Sequence, residues 1–298
     1  MQKIEVIENN KRIDAYIASQ TDISRTKVAK LLEDGVITVN DKTVKSSYKV
    51  AEGDIIIIDD YEEEIMDAIP EKMDLDIIYE DDDVLVVNKA NGIVVHPAVG
   101  NLHGTLVNGL LYHFNELSKV NGTLRPGIVH RIDAFTTGLL MVAKNDYAHN
   151  FLAKQLSEKT TTRKYWSLVH GVIKNDTGLI DAPIGRDTKN RKKMAVIDTN
   201  SKEAITSFKV LKRFEVSNVT LIELTLKTGR THQIRVHMEY IGHPVLNDPV
   251  YGRRKLIDET GQCLHAKTLG FTHPKTLEYM EFDSELPECF LNILNTLE

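Results

Sequence analysis

Residues 59–83 hold 13 acidic side chains and one lysine, and the stretch YEEEIMDAIPEKMD at 61–74 keeps neither a helical period of 3.6 nor a strand period of 2. A charged, aperiodic segment interrupted by Pro70 is a poor contributor to any shared core. It is expected to divide the 298-residue chain into a unit at 1–60, an acidic linker at 61–74 and a larger body at 75–298. It also masks the charge of everything else. The formal net charge is −6, but the strip alone carries −12, which leaves +6 on the remainder. Residues 154–213 concentrate 14 basic against 6 acidic side chains, including Lys189, Arg191, Lys192 and Lys193. Such a surface suits phosphate contacts, with Lys192 and Lys193 as RNA-binding candidates; a solvated face is the plainer explanation of charge alone.

Several classes are disfavoured at once. No apolar run approaches 18 residues and the N-terminus has no signal-like apolar stretch, so a cytoplasmic protein without a membrane span is expected. Cys263 and Cys289 stand 26 positions apart without a CxxC, which argues against a disulfide framework and a zinc site. No glycine-rich phosphate loop follows a strand, so no nucleotide cofactor is expected.

The first unit reads as helix, helix, small sheet. Ile13, Tyr16 and Ile17 recur at helical spacing; Ser24 caps a second helix whose Val28, Leu31 and Leu32 face inward, and Gly35 ends it. Asn40-Asp41 marks a tight turn between strands. With Arg12, Asp14, Ser24-Arg25, Gly35, Val39-Asn40 and Gly53-Asp54 in this order, the unit resembles a small RNA-binding module shared by a ribosomal protein, some aminoacyl-tRNA synthetases and RNA-modifying enzymes. Arg25, Lys27 and Lys30 are expected to project from one helical surface toward RNA phosphates.

Beyond the acidic strip the chain turns β-rich. IIY, VLVVNK, GIVVHP, LLMVAK, YWSLVHG, ITSFKVLKRF and VTLIELTLKT read as strands, and helices are expected near 105–114, 146–157 and 231–241. Strands without a helix after each one predict an α+β body built on a large mixed, mainly antiparallel sheet with flanking helices. In RPGIVHRIDAFTTGLLMVAKN, residues 125–145, apolar strands at Ile128-Val129 and Leu139 to Ala143 flank a polar loop. Alternation puts Arg131 and Asp133 on one side, where a cation and a carboxylate can share a cleft. An ordinary loop ion pair fits equally well.

The wider pattern resembles the RluA-type pseudouridine synthases, which isomerise uridine in RNA. The motifs are NKANGIVVHPAVGN, RPGIVHRID with TTGLLMVAKN, KYWSLVHG, DAPIGRD with KKMAV, LKTGRTHQIRVHMEYIGHPVLNDPVYG and LHAKTLGFTHP. With the preceding module, the chain resembles the RluD-like branch that acts on large-subunit (23S) ribosomal RNA. The resemblance implies an enzyme that needs no cofactor and no metal; a monomer is expected. It makes Asp133 the essential carboxylate, acting by attack at C1′ or through a glycal. It makes Tyr165 the aromatic beneath the base and Arg235 the partner of Asp133, with Arg230 as runner-up. Arg131 is expected to fill the space of an extruded uridine, and His130, Arg131 and Arg230 are expected to face the RNA. His232 and His237 stand five residues apart, about 140° around a helix, unlike a zinc pair.

Ala134-Phe135 departs from the family's usual Lys and acidic residue, as Ala90-Asn91 and Asn247 depart from Pro-Ala and Gly. A noncatalytic RNA-binding or ribosome-assembly protein is therefore the alternative; glycoside hydrolysis lacks an evident second carboxylate.

Overall fold

The computed structural model describes residues 1–61, 67–98, 100–190, 193–252 and 255–298. It divides into two compact units, Met1–Ile65 and Met66–Glu298. The first contains β1 (Gln2–Glu5), α1 (Ile13–Gln20), α2 (Arg25–Glu33), β2 (Ile37–Val39), β3 (Lys42–Thr43) and β4 (Ile55–Ile58). Its sheet has the order β1-β4-β2-β3, and Ile13, Tyr16, Ile17, Val28, Leu31 and Leu32 bury the helices against it. The Ser24 hydroxyl accepts from the Lys27 amide at 3.3 Å, Gly35 takes φ +76°, and Asn40 and Asp41 take φ 48° and 64°. These three local signals act as expected, because each depends only on neighbouring backbone.

The second unit begins with β5 (Asp76–Glu80), β6 (Val84–Lys89), α3 (Leu106–His113), β7 (Thr137–Ala143), α4 (Asp146–Glu158) and β8 (Thr162–His170). There follow β9 (Thr177–Asp181), β10 (Ile184–Arg186), β11 (Met194–Val196), β12 (Ser201–Lys202), β13 (Ile205–Phe214) and β14 (Val219–Leu226). The chain closes with α5 (Gln233–Tyr240), β15 (Leu264–Thr272), β16 (Tyr279–Asp283) and α6 (Glu288–Leu294). Nine strands form one sheet in the order β5-β6-β7-β15-β8-β14-β13-β9, with β16 paired to β15. Among the described residues only β7 and β15 pair in parallel, so the sheet is mixed and mainly antiparallel. Every residue of β7 is buried: Leu140 and Val142 enter the core on one face, Leu139, Met141 and Ala143 that on the other. Coverage on both faces explains its unbroken apolar run. At Gly138 a Cβ would lie 2.3 Å from the Ala266 carbonyl oxygen, and φ is +104°, so glycine is what lets β7 and β15 meet.

Some expectations fail locally. GIVVHP forms no strand, and Ile128 makes only an isolated bridge to Val142. The helix expected from Thr231 starts at Gln233, because His232 at its N-cap is left-handed (φ 57°). Residues 68–73 of the expected linker run along α3: Ala68 is buried, Asn108 donates to the Ile69 carbonyl at 2.7 Å and Glu71 accepts from Gly104. Apolar residues scattered among the acids give that part of the strip something to bury. Among the described residues no helix is long and apolar enough to cross a membrane.

Candidate active site

Asp133 lies in the loop that enters β7, at the end of the central strands where β15 also begins. Lys89 and Phe135 are among the groups that hold that loop. Lys89, fully buried at the end of β6, donates to the carbonyls of Ala90 and Ile93 at 2.8 Å and of Ala134 at 2.7 Å. Phe135 lies over Gly261, where a Cβ would approach the ring to 2.5 Å. The residue next to the carboxylate is thus tied to β6 on one side and to the chain entering β15 on the other.

Arg235 on α5 donates from Nη1 to Asp133 Oδ2 at 2.8 Å, while Nε and Nη2 grip Asp248 at 2.7 and 2.8 Å. Asp248 is itself fixed, since its Oδ1 accepts from the amides of Val250 and Tyr251 at 2.8 and 3.0 Å. Burial opposes the charge of Arg235, but hydrogen bonds and charge from Asp248, then Asp133, prevail and raise its pKa. Burial likewise opposes Asp248, and the Arg235 pairing prevails to hold its carboxyl below the usual range. The Tyr251 ring packs against the guanidinium at 5.1 Å. A planar fork with three directed bonds to two carboxylates has no lysine equivalent.

His232 Nε2 stands 3.9 Å from Asp133 Oδ1, and its Nδ1 is 2.8 Å from the Tyr251 hydroxyl. Burial lowers its pKa, with Asp133 opposing, so the ring is neutral near pH 7. Tyr165 on β8 is 7% exposed and lines the same cleft as Asp133. Burial raises its phenol pKa; Arg163 opposes and Asp133 adds to the rise. His130 accepts the Met141 amide proton at Nε2, and burial followed by the charge of Arg163 pulls its pKa to about 3. The cleft therefore presents a carboxylate clamped by arginine, a protonated phenol and two neutral imidazoles.

Residues 83–240 match the family model described as RNA pseudouridylate synthase, and residues 11–56 match the S4 domain. The chain belongs to the RNA pseudouridylate synthase family. A Bacillus subtilis protein named uncharacterized RNA pseudouridine synthase YlyB is 55% identical over 291 residues, 97% of this chain and 95% of its own. Ribosomal large subunit pseudouridine synthase D of Neisseria meningitidis serogroup B is 44% identical over 299 residues, 96% of this chain and 78% of its own. The solved structure of Human RNA Pseudouridylate Synthase Domain Containing 1 superposes with a TM-score of 0.59 at 29% identity, covering 72% of this chain and 84% of that one. The expected enzyme class, an RNA pseudouridine synthase with an N-terminal S4 domain, is the one found.

Within this pseudouridine synthase, Asp133, Tyr165 and Arg235 meet in one cleft, and His130, Arg131 and Arg230 also line it. Arg230 does not reach Asp133; its Nε donates to the Glu203 carbonyl at 2.8 Å. Arg131 is exposed at the mouth, 3.2 Å from His96 Nε2, and shares the cleft with Asp133 without pairing to it. Lys193 lies over the Tyr251 ring at 5.4 Å, close to the clamp; Lys192 falls outside the described residues. In the S4 unit, Arg25 is bound to Asp14 at 3.1 Å and Lys27 lies over Tyr61 at 5.1 Å, while Lys30 is exposed. The three cations do not share one surface, because Arg25 turns toward α1 and stands about 140° from Lys30 around the helix. His237 is satisfied by Thr206 and the Ala182 carbonyl at 2.8 and 2.9 Å.

Sequence reasoning misses Lys89, Arg163, His232, Asp248 and Tyr251. The one available signal is NDPVYG, whose aspartate and tyrosine flank a turn; nothing local marks the others.

Proposed function

We propose that this protein converts uridine to pseudouridine in large-subunit ribosomal RNA, with Asp133 as the essential carboxylate. The observation that carries the reading is the three-way clamp in which Arg235 joins Asp133 to the buried Asp248. It fixes Oδ2 of Asp133, a cleft-lining residue, and leaves Oδ1 outside the clamp, which supports attack at C1′ or participation in a glycal route. Tyr165 supports the base from below and exchanges protons with it. Arg131, exposed at the mouth, occupies the space the flipped uridine vacates, and His130, Arg230, Lys193, Arg25, Lys27 and Lys30 contact the RNA. The choice of ribosomal RNA is supported by relatives 42% and 44% identical that are named ribosomal large subunit pseudouridine synthase D.

The test is conversion of protein-free large-subunit RNA by the wild type and by Asp133→Asn. The wild type should form pseudouridine without metal or nucleotide. The variant should bind the RNA but turn over about a thousandfold more slowly, the equivalent of about 4 kcal/mol of barrier. Undiminished turnover would remove Asp133 from this role.

A further inference from the structure

Arg163 stands on β8 two residues before Tyr165, so both side chains emerge on the same face of the sheet, under the loop that carries Asp133. It is 7% exposed. The other guanidinium groups around the cleft have partners: Arg235 holds two aspartates, Arg131 meets His96 and Arg230 meets a carbonyl. Among the described residues the Arg163 side chain has no hydrogen bond and no ion pair, and its Nε is buried without an acceptor. Burial accordingly lowers its pKa, with only Tyr165 acting the other way. Room is also kept for it, since a Cβ at Gly229 would lie 2.9 Å from Nη1. A buried cation without a counter-charge is destabilising, so its presence beside the reacting groups calls for an anion that arrives with substrate.

We propose that Arg163 is the counter-charge for the uracil ring while it is detached from the ribose. This rests on the isomerase reading of Asp133. When the C1′–N1 bond breaks, its electron pair leaves with the base and spreads over N1, O2 and O4. C1′ is meanwhile satisfied either by a bond to Asp133 or by loss of the C2′ proton to a glycal. The ring turns and C5 bonds to C1′, either as the Asp133–C1′ bond breaks or as C2′ of the glycal regains its proton; the C5 proton then passes to solvent and N1 takes one up, so uridine and product differ by no atom. Negative charge on the ring exists only between those bond events. A fixed, water-excluded guanidinium beside it acts on the transition state more than on bound substrate. A backbone phosphate is charged throughout and suits an exposed cation better than a buried one.

Single-turnover rates under saturating enzyme, with RNA affinity measured separately, test this in wild type, Arg163→Met and Arg163→Lys, each checked by a cooperative melt. Arg163→Met should lose about a hundredfold in rate with unchanged affinity, and Arg163→Lys should recover part of it. With 5-fluorouridine at the target, whose electron-withdrawing substituent stabilises the ring anion, disappearance of the target nucleoside should suffer less from the same substitution. An unchanged rate, a loss confined to affinity as phosphate binding would give, or an equal loss on both nucleosides would overturn the proposal. If Arg163→Met fails to fold, the ratio of the two nucleosides in Arg163→Lys against wild type decides instead. A wild type that converts no uridine, with Asp133→Asn indistinguishable from it, brings down the isomerase reading beneath.

Discussion

Replacing Lys89 by methionine keeps length and volume but removes every donor from a site that is 1% exposed. The carbonyls of Ala90, Ile93 and Ala134, now served at 2.7 to 2.8 Å, would be left without protein partners. At about 1–2 kcal/mol for each buried unsatisfied carbonyl the loss is about 3–6 kcal/mol, and relief of a buried charge returns part of it. A net destabilisation of about 2–4 kcal/mol should appear as a lower urea midpoint with an unchanged slope. Because the Ala134 carbonyl follows Asp133 directly, the freed loop should also cost turnover, about a hundredfold for a displacement near 1 Å. Burial pulls the Lys89 ammonium down to about 7, with Asp133 opposing. Between that value and the ordinary 10.5, the unfolded chain holds a proton that the folded chain releases, so this group's contribution to stability rises with pH. The gap between wild type and Lys89→Met should therefore widen from pH 7 to pH 9. A midpoint shift worth less than about 1 kcal/mol together with full turnover would refute the reasoning.

Asp248→Asn should destabilise the protein by about 3 kcal/mol and slow single turnover, because Arg235 is left buried with one of its two counter-charges; urea melts and rate measurements on the same preparation check both. Asp248 titrates below its ordinary 3.8 in the fold, so the wild type keeps this contribution above that pH and loses it as the pH falls toward the depressed value, whereas the variant shows no such loss. The paired change Ala134→Lys with Phe135→Asp should retain turnover with an altered salt dependence, since Lys89 reaches a backbone carbonyl that the change leaves in place. Activity confined to that double variant, with none in the native protein, would instead mean that the native loop is degenerate.

What was legible in the sequence is what neighbouring residues decide among themselves. Ser24, Gly35 and Asn40-Asp41 set caps and turns through their own φ, ψ and side-chain reach, and the helix expected near 146–157, found as α4, follows from a 3.6-residue period. Asp133, Tyr165 and Arg235 were legible for a different reason: they sit at fixed places in motifs whose order is specific. Asn247 shows a departure that the backbone absorbs, since asparagine tolerates the left-handed φ of 60° there, and its side chain ties Asp258 and the Gly261 carbonyl.

Partner choice is where local reasoning stops. Arg230 and Arg235 lie five residues apart in one motif, and only the left-handed turn at His232 and the path of α5 decide that Arg235 meets Asp133 while Arg230 turns to Glu203. Lys89 finds Ala134 45 positions away, and Thr137 finds His265 128 positions away across the parallel β7–β15 pair. Arg163 reads in the sequence as one more cation in a basic stretch; burial on the cleft wall makes it an unpaired one. The sequence by itself pointed to most of the elements, to the two units' character and to the candidate side chains that meet in the cleft, because dihedral preference, periodicity and motif order are carried by residues close along the chain. Tertiary structure alone decided which charges are paired, which are buried and which remain open to substrate, because those depend on strand register and loop closure between residues that the chain keeps far apart.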